Sequence, residues 1–142
     1  MQATADARAG RGNDKQEGTE KVFAAYVIVT VVTIVANAWA AVADLVRARF
    51  VLANMEEVGV PEPWLAPLGI LKGAGAAGLL VGLLGMRPVG IAAAIGLVLF
   101  FTGALATHIR AHVFHTIAFP GAYFALAIAS AALAVAATNA RP

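Results

Sequence analysis

The chain contains no cysteine. Disulfide staples, thiolate metal sites, iron–sulfur clusters and dithiol relays are therefore excluded. Charge is scarce too, at 13% of residues, and no carboxylate follows Glu62. The basic residues are scattered rather than gathered in a patch, so nucleic acid is not an expected partner. No nucleophile elbow, phosphate-binding loop, HExxH motif or dinucleotide fingerprint occurs, and nothing in the sequence argues positively for an enzyme.

What the chain has instead is hydrophobicity: 61% apolar residues and a mean hydropathy of +0.81, so lipid must be the solvent for most of its surface. A helix needs about 20 mostly apolar residues to cross a hydrocarbon core roughly 30 Å thick. Four stretches meet that need, at 22–43, 64–84, 89–106 and 117–137. The last three are joined so tightly that they must run antiparallel. The expected fold is all-α, a polytopic membrane protein built as an antiparallel four-transmembrane-helix bundle. At 142 residues there is no room beside it for a separate soluble domain. Residues 1–20 are polar and lack periodic apolar positions, which reads as a disordered tail, leaving 21–142 as the bundle. A long polar tail before a long apolar run differs from a cleavable signal peptide, so the first span is expected to stay as an anchor.

The polar residues of the first span are ordered. Tyr26, Thr30, Thr33, Asn37 and Asp44 follow steps of four, three, four and seven. At 100° per residue they fall in a stripe roughly 60° wide, which should face protein. Residues 44–58 mix an apolar face with charge and read as an amphipathic segment at the membrane interface, between helices one and two. Gly59 supplies a helix stop, Pro61 and Pro63 an extended turn, and Trp64 an interfacial anchor. In span two, Ala74, Gly78 and Gly82 recur every fourth position, a spacing that serves close packing within one bundle or self-association through Gly78 and Gly82. The turn from Gly85 to Pro88 closes a hairpin with span three.

Lys72 is the most unusual residue, lying about two turns into span two. A cation at such depth costs roughly 2.5 to 3.5 kcal/mol unless it snorkels, pairs or meets water. Asp44 is its natural counter-ion, either as a lock between spans one and two or as part of a ligand or proton site with Asn37 and His108. His108, His112 and His115 are spaced four and three apart, so a helix running through all three would place them on one face. Such a face suits a divalent metal, or one histidine an axial haem ligand, although span three must end within this stretch. The reading set against it is of interfacial, hydrogen-bonding histidines.

The run Glu57-Val58-Gly59-Val60-Pro61, then Trp64-Leu65 and Pro67-Leu68-Gly69-Ile70-Leu71-Lys72, followed by Thr107-His108-Ile109-Arg110-Ala111, resembles the DoxX-like family of small four-helix bacterial membrane proteins. The likeness covers about 22–137. It implies a bacterial inner (plasma) membrane location and an association with membrane redox complexes, and it maps family polar positions onto Lys72, His108 and Arg110. The leading expectation is a non-catalytic scaffold or accessory subunit of a membrane oxidoreductase complex, with no cofactor of its own. The alternatives are a quinone, lipid or small-molecule binding protein with its polar site at Lys72 and Asp44, and a haem- or metal-binding electron carrier. Counting Arg8, Arg11, Lys15, Lys21, Arg87 and Arg141 against Arg47, Arg49 and Arg110 favours cytoplasmic N- and C-termini.

Overall fold

The computed structural model describes residues 1–140. Its elements are α1 (Gln2–Leu45), α2 (Arg49–Glu57), a short 3-10 turn (Glu62–Trp64), α3 (Leu65–Leu83), α4 (Arg87–Arg110) and α5 (Ala118–Asn139). Among the described residues four helices are long and apolar enough to cross a membrane, so the protein is an all-α, multi-pass bundle. α1 packs on α3 and α5, and α4 packs on the same two, which sets the four spans at the corners of a square. One end, here the near end, gathers the start of the first span, the α3–α4 turn and the end of α5. There Thr19 and Phe23 lie beside Ala137 and Ala140, and Arg87 Nη1 donates to Ala137 O at 3.0 Å. That guanidinium meets the carbonyl end of α5, where a cation opposes the helix dipole. At the far end, exposed Trp39, Phe50, Trp64, Phe114 and Phe119 surround the bundle, as an interfacial aromatic belt requires.

Helices α1 to α4 stop in the same way. At each C-terminus one residue takes a positive φ: Arg47 (54°), Gly59 (70°), Gly85 (124°) and His112 (56°). The next N–H reaches back five residues, as in Ala48 N to Ala43 O and Val113 N to His108 O, which satisfies the carbonyls left over at a helix end. Gly59 and Gly85 stand out in the sequence because glycine adopts this conformation freely. Arg47 and His112 do not, so the amphipathic helix expected over 44–58 is divided: α1 runs on to Leu45, the chain turns at Arg47, and a separate helix α2 begins at Arg49.

The left-handed region costs an L-residue roughly 1 to 2 kcal/mol that glycine avoids. His112→Gly is therefore expected to stabilise the protein by about 1 kcal/mol, the gain offset in part by the entropy of the unfolded glycine. Thermal unfolding in detergent checks this, and an unchanged or lower midpoint would contradict it.

The stretch expected to be a disordered tail is helical here, continuous with the first span. Once the span has formed a helix, each further residue needs no new nucleus, and this stretch has no proline. The Glu17–Lys21 pair, at 2.7 Å and four residues apart, adds a local tie. Arg141, counted among the terminal-side cations, lies outside the described residues.

Candidate functional site

Small residues bring the backbones together where the site forms. A Cβ built on Gly69 would sit 2.9 Å from Asp44 Cβ and 3.2 Å from Ala41 O, so only glycine lets α3 lie this close to α1. One turn further along α3, Lys72 Nζ meets Asp44 Oδ2 at 2.8 Å. The Asp44 side chain is 3% exposed and that of Lys72 17%, so the pair is largely withdrawn from solvent. Nζ also lies 5.6 Å from the centroid of Phe100 on α4, within range of a cation–π attraction. The lysine is thus held by a carboxylate from one neighbour and a ring face from the other.

Gly75, Gly78 and Gly82 face the opposite way, toward α4. Added Cβ atoms there would strike Leu97, Ala93 and the Gly90 backbone, at 2.5, 2.6 and 2.5 Å. Gly78 and Gly82 are therefore taken up inside the bundle, and Ala74 lies outside this contact, exposed. Between α3 and α4 on the outer surface runs a groove of about 410 Å³ lined by small residues, including Ala74 and Gly96, with Phe100 in its wall.

The polar stripe of the first span faces inward. Thr30, Thr33, Asn37 and Asp44 are all at most 3% exposed, and Tyr26 is 5% exposed. Thr33 Oγ1 lies 2.8 Å from Ser130 Oγ, a hydroxyl pair between α1 and α5. In lipid such a contact contributes on the order of 0.6 kcal/mol. Asn37 Nδ2 donates to Thr33 O at 2.9 Å. Tyr123 donates its hydroxyl to Ala36 O at 3.3 Å and stacks on Phe101 with ring centroids 5.2 Å apart. Tyr123 and Ser130 were not singled out in the sequence, whereas Phe100 was expected, with Phe101, to interlock with span two. Tyr123 and Ser130 are each a polar residue in an apolar run, and only the packing of α1 against α5 reveals their place.

The three histidines come apart. α4 ends at Arg110 and His112 turns the chain, so the continuing helix that would place His108, His112 and His115 on one face does not form. His108 is 5% exposed, with Nδ1 2.9 Å from Ala104 O. A carbonyl only accepts, so Nδ1 donates this bond. His112 lies at the exposed turn, its ring near Phe114, and His115 reaches Glu57 of α2 at 3.0 Å. Among the described residues no three His, Cys, Asp or Glu side chains are grouped to hold a metal. Arg110 is exposed at the far end, apart from the buried pair.

Three buried polar atoms in the spans have no hydrogen-bond partner: Thr30 Oγ1, Asn37 Oδ1 and His108 Nε2. The site is thus a closed ion pair at the far end with an under-satisfied polar column below it. No curated protein and no solved structure matches the chain. The family model of the DoxX-like family matches residues 28–130, a stretch that begins inside the first span, ends inside the last and contains the ion pair and the buried histidine. With its four spans in place and most of its length matched, the chain belongs to the DoxX-like family.

Proposed function

We propose that this integral membrane protein is a non-catalytic scaffold or accessory subunit of a membrane-associated redox complex, set in the bacterial inner membrane with cytoplasmic termini. The observation that carries the reading is the closed Lys72–Asp44 pair. Inside the bundle the acid and the base neutralise each other across α1 and α3, so their chemistry goes into holding two spans together rather than into a reaction. The redox setting rests on the resemblance alone.

A second reading, a binding site for a quinone, lipid or other membrane-soluble molecule, is favoured by the groove between α3 and α4. Phe100 lines that groove and carries the Lys72 ammonium over its ring, which joins an apolar slot to a polar end. Native mass spectrometry in mild detergent separates the two. The scaffold reading expects a stoichiometric protein partner that survives Gly96→Leu, a substitution that fills the groove. A chain that runs without a protein partner, yet keeps a lipid-soluble molecule that Gly96→Leu expels, would replace it with the second reading.

A further inference from the structure

Between the first two spans, α2 hangs on two turns. It runs from Arg49 to Glu57, and the residues that flank it, Arg47 and Gly59, both take a positive φ, 54° and 70°. Hinges are a few such positions at the ends of an element, where a change of backbone angles moves the element as a unit. The α2 backbone comes closest to the 3-10 turn Glu62–Trp64 rather than to any of the four spans. Arg47 Nη1 meets Glu62 Oε1 at 2.9 Å, which draws the two ends of the segment together.

Little else fastens this segment. Met55 and the capping Val58 are buried, at 7% and 9% exposed. One ion pair crosses from α2 to the connection between α4 and α5, where His115 Nε2 lies 3.0 Å from Glu57 Oε2. The histidine side of that pair is the firmer one, because Val113 is buried and its N–H bonds His108 O, fixing the connection to the end of α4. A histidine gains and loses its charge between about pH 5 and 8, while a glutamate stays ionised over most of that range. His115 is 68% and Glu57 45% exposed, so both exchange protons with the medium. The other charges nearby do not take their place. Glu62 is held by Arg47, and Lys72 and Asp44 hold each other. Among the described residues Arg49 and Glu56 of α2, and Arg110 and His112 on the α4 side, form no ion pair, and α5 carries no charge at all.

We propose that α2 is a pH-sensitive flap, latched to the α4–α5 connection by the His115–Glu57 pair when His115 is protonated and released as the pH rises. The attraction needs the imidazolium, so it is present in mild acid and fades as the histidine loses its proton. Release bares Met55 and Val58 and frees a nine-residue helix, so the apolar surface at this end of the bundle changes with pH. The latch depends neither on a redox partner nor on which side of the membrane the far end faces. An exposed pair of this kind shifts an opening equilibrium by about two- to fivefold.

The chain has no cysteine, so a single introduced thiol reports on the flap alone. In the full chain in mild detergent, the rate of N-ethylmaleimide labelling of Met55→Cys is divided by that of Ala53→Cys, an exposed position on the same helix, which cancels the pH dependence of the reagent. From about pH 5.5 to about pH 8 this ratio is expected to rise roughly two- to fivefold. His115→Gln and Glu57→Gln should each remove the rise and leave labelling fast at both pH values, whereas His115→Lys, charged throughout, should keep it slow at both. Val58→Cys, at the second buried position, is labelled in parallel and should follow Met55→Cys. A flat ratio with both partners of the pair intact overturns the latch, and so does a rise that survives His115→Gln.

Discussion

Replacing Lys72 by methionine is expected to cost the bundle about 3 to 5 kcal/mol, the range for removing one partner of a buried ion pair. The loss arises on the other side of the pair. Asp44 is 3% exposed, with its Cβ pressed toward Gly69, so water cannot replace the missing ammonium without opening the α1–α3 contact. Asp44→Asn should cost less, because the long lysine stem, 17% exposed, can carry its charge toward the interface. The double variant Asp44→Asn, Lys72→Met should recover much of the loss, since it leaves no uncompensated charge. A double-mutant cycle from unfolding curves in detergent measures the coupling, which two side chains in direct contact place at roughly 0.5 to 3 kcal/mol. A loss below about 1 kcal/mol for Lys72→Met would mean that the pair behaves as a solvated surface bridge.

The pair itself was legible in the sequence. One cation inside an apolar run and one anion at the end of a polar stripe had few other partners, and the chain enters the bilayer at Trp64 on the side where Asp44 leaves it. The spans were legible for the same reason, since hydrocarbon thickness fixes their length. What could not be read was the set of helix stops at Arg47 and His112. Neither residue favours a positive φ, and the motif that imposes it is made by backbone hydrogen bonds and by burial of the following Val113. That one feature moves the start of the amphipathic helix from 44 to Arg49 and ends α4 before the three histidines can share a face. Gly69 was hidden differently. The eye follows the four-residue spacing of Ala74, Gly78 and Gly82, whereas the glycine that seats the ion pair lies earlier, on another side of α3. A helix wedged between two neighbours needs two small-residue faces, and the glycines of α3 divide between them.

That division gives the second large effect. Gly82→Leu is expected to break the α3–α4 contact, with a loss of several kcal/mol or failure to assemble. Even a single Cβ at Gly82 would lie 2.5 Å from Gly90 Cα and 3.0 Å from Gly90 N, and these are backbone atoms that no rotamer change can move aside. Overpacking that forces backbone shifts typically costs 1 to 3 kcal/mol for a few added methylenes, and here the strained atoms belong to two helices at once. The hairpin is too short to let the two slide apart, because α3 ends at Leu83 and α4 begins at Arg87. Gly75→Ala would meet only the side chain of Leu97, which can turn, so it should cost less. Gly96 and Gly103 on α4 have nothing within 4 Å of an added Cβ, and alanine at either should be neutral or stabilise by up to about 1 kcal/mol through helix propensity. Unfolding midpoints of the four variants in one detergent should therefore rank Gly82→Leu far below Gly75→Ala, and Gly75→Ala below Gly96→Ala and Gly103→Ala. If Gly82→Leu unfolded like the wild type, α3 and α4 would not be in backbone contact, and the square arrangement that buries the polar column would lose one of its sides.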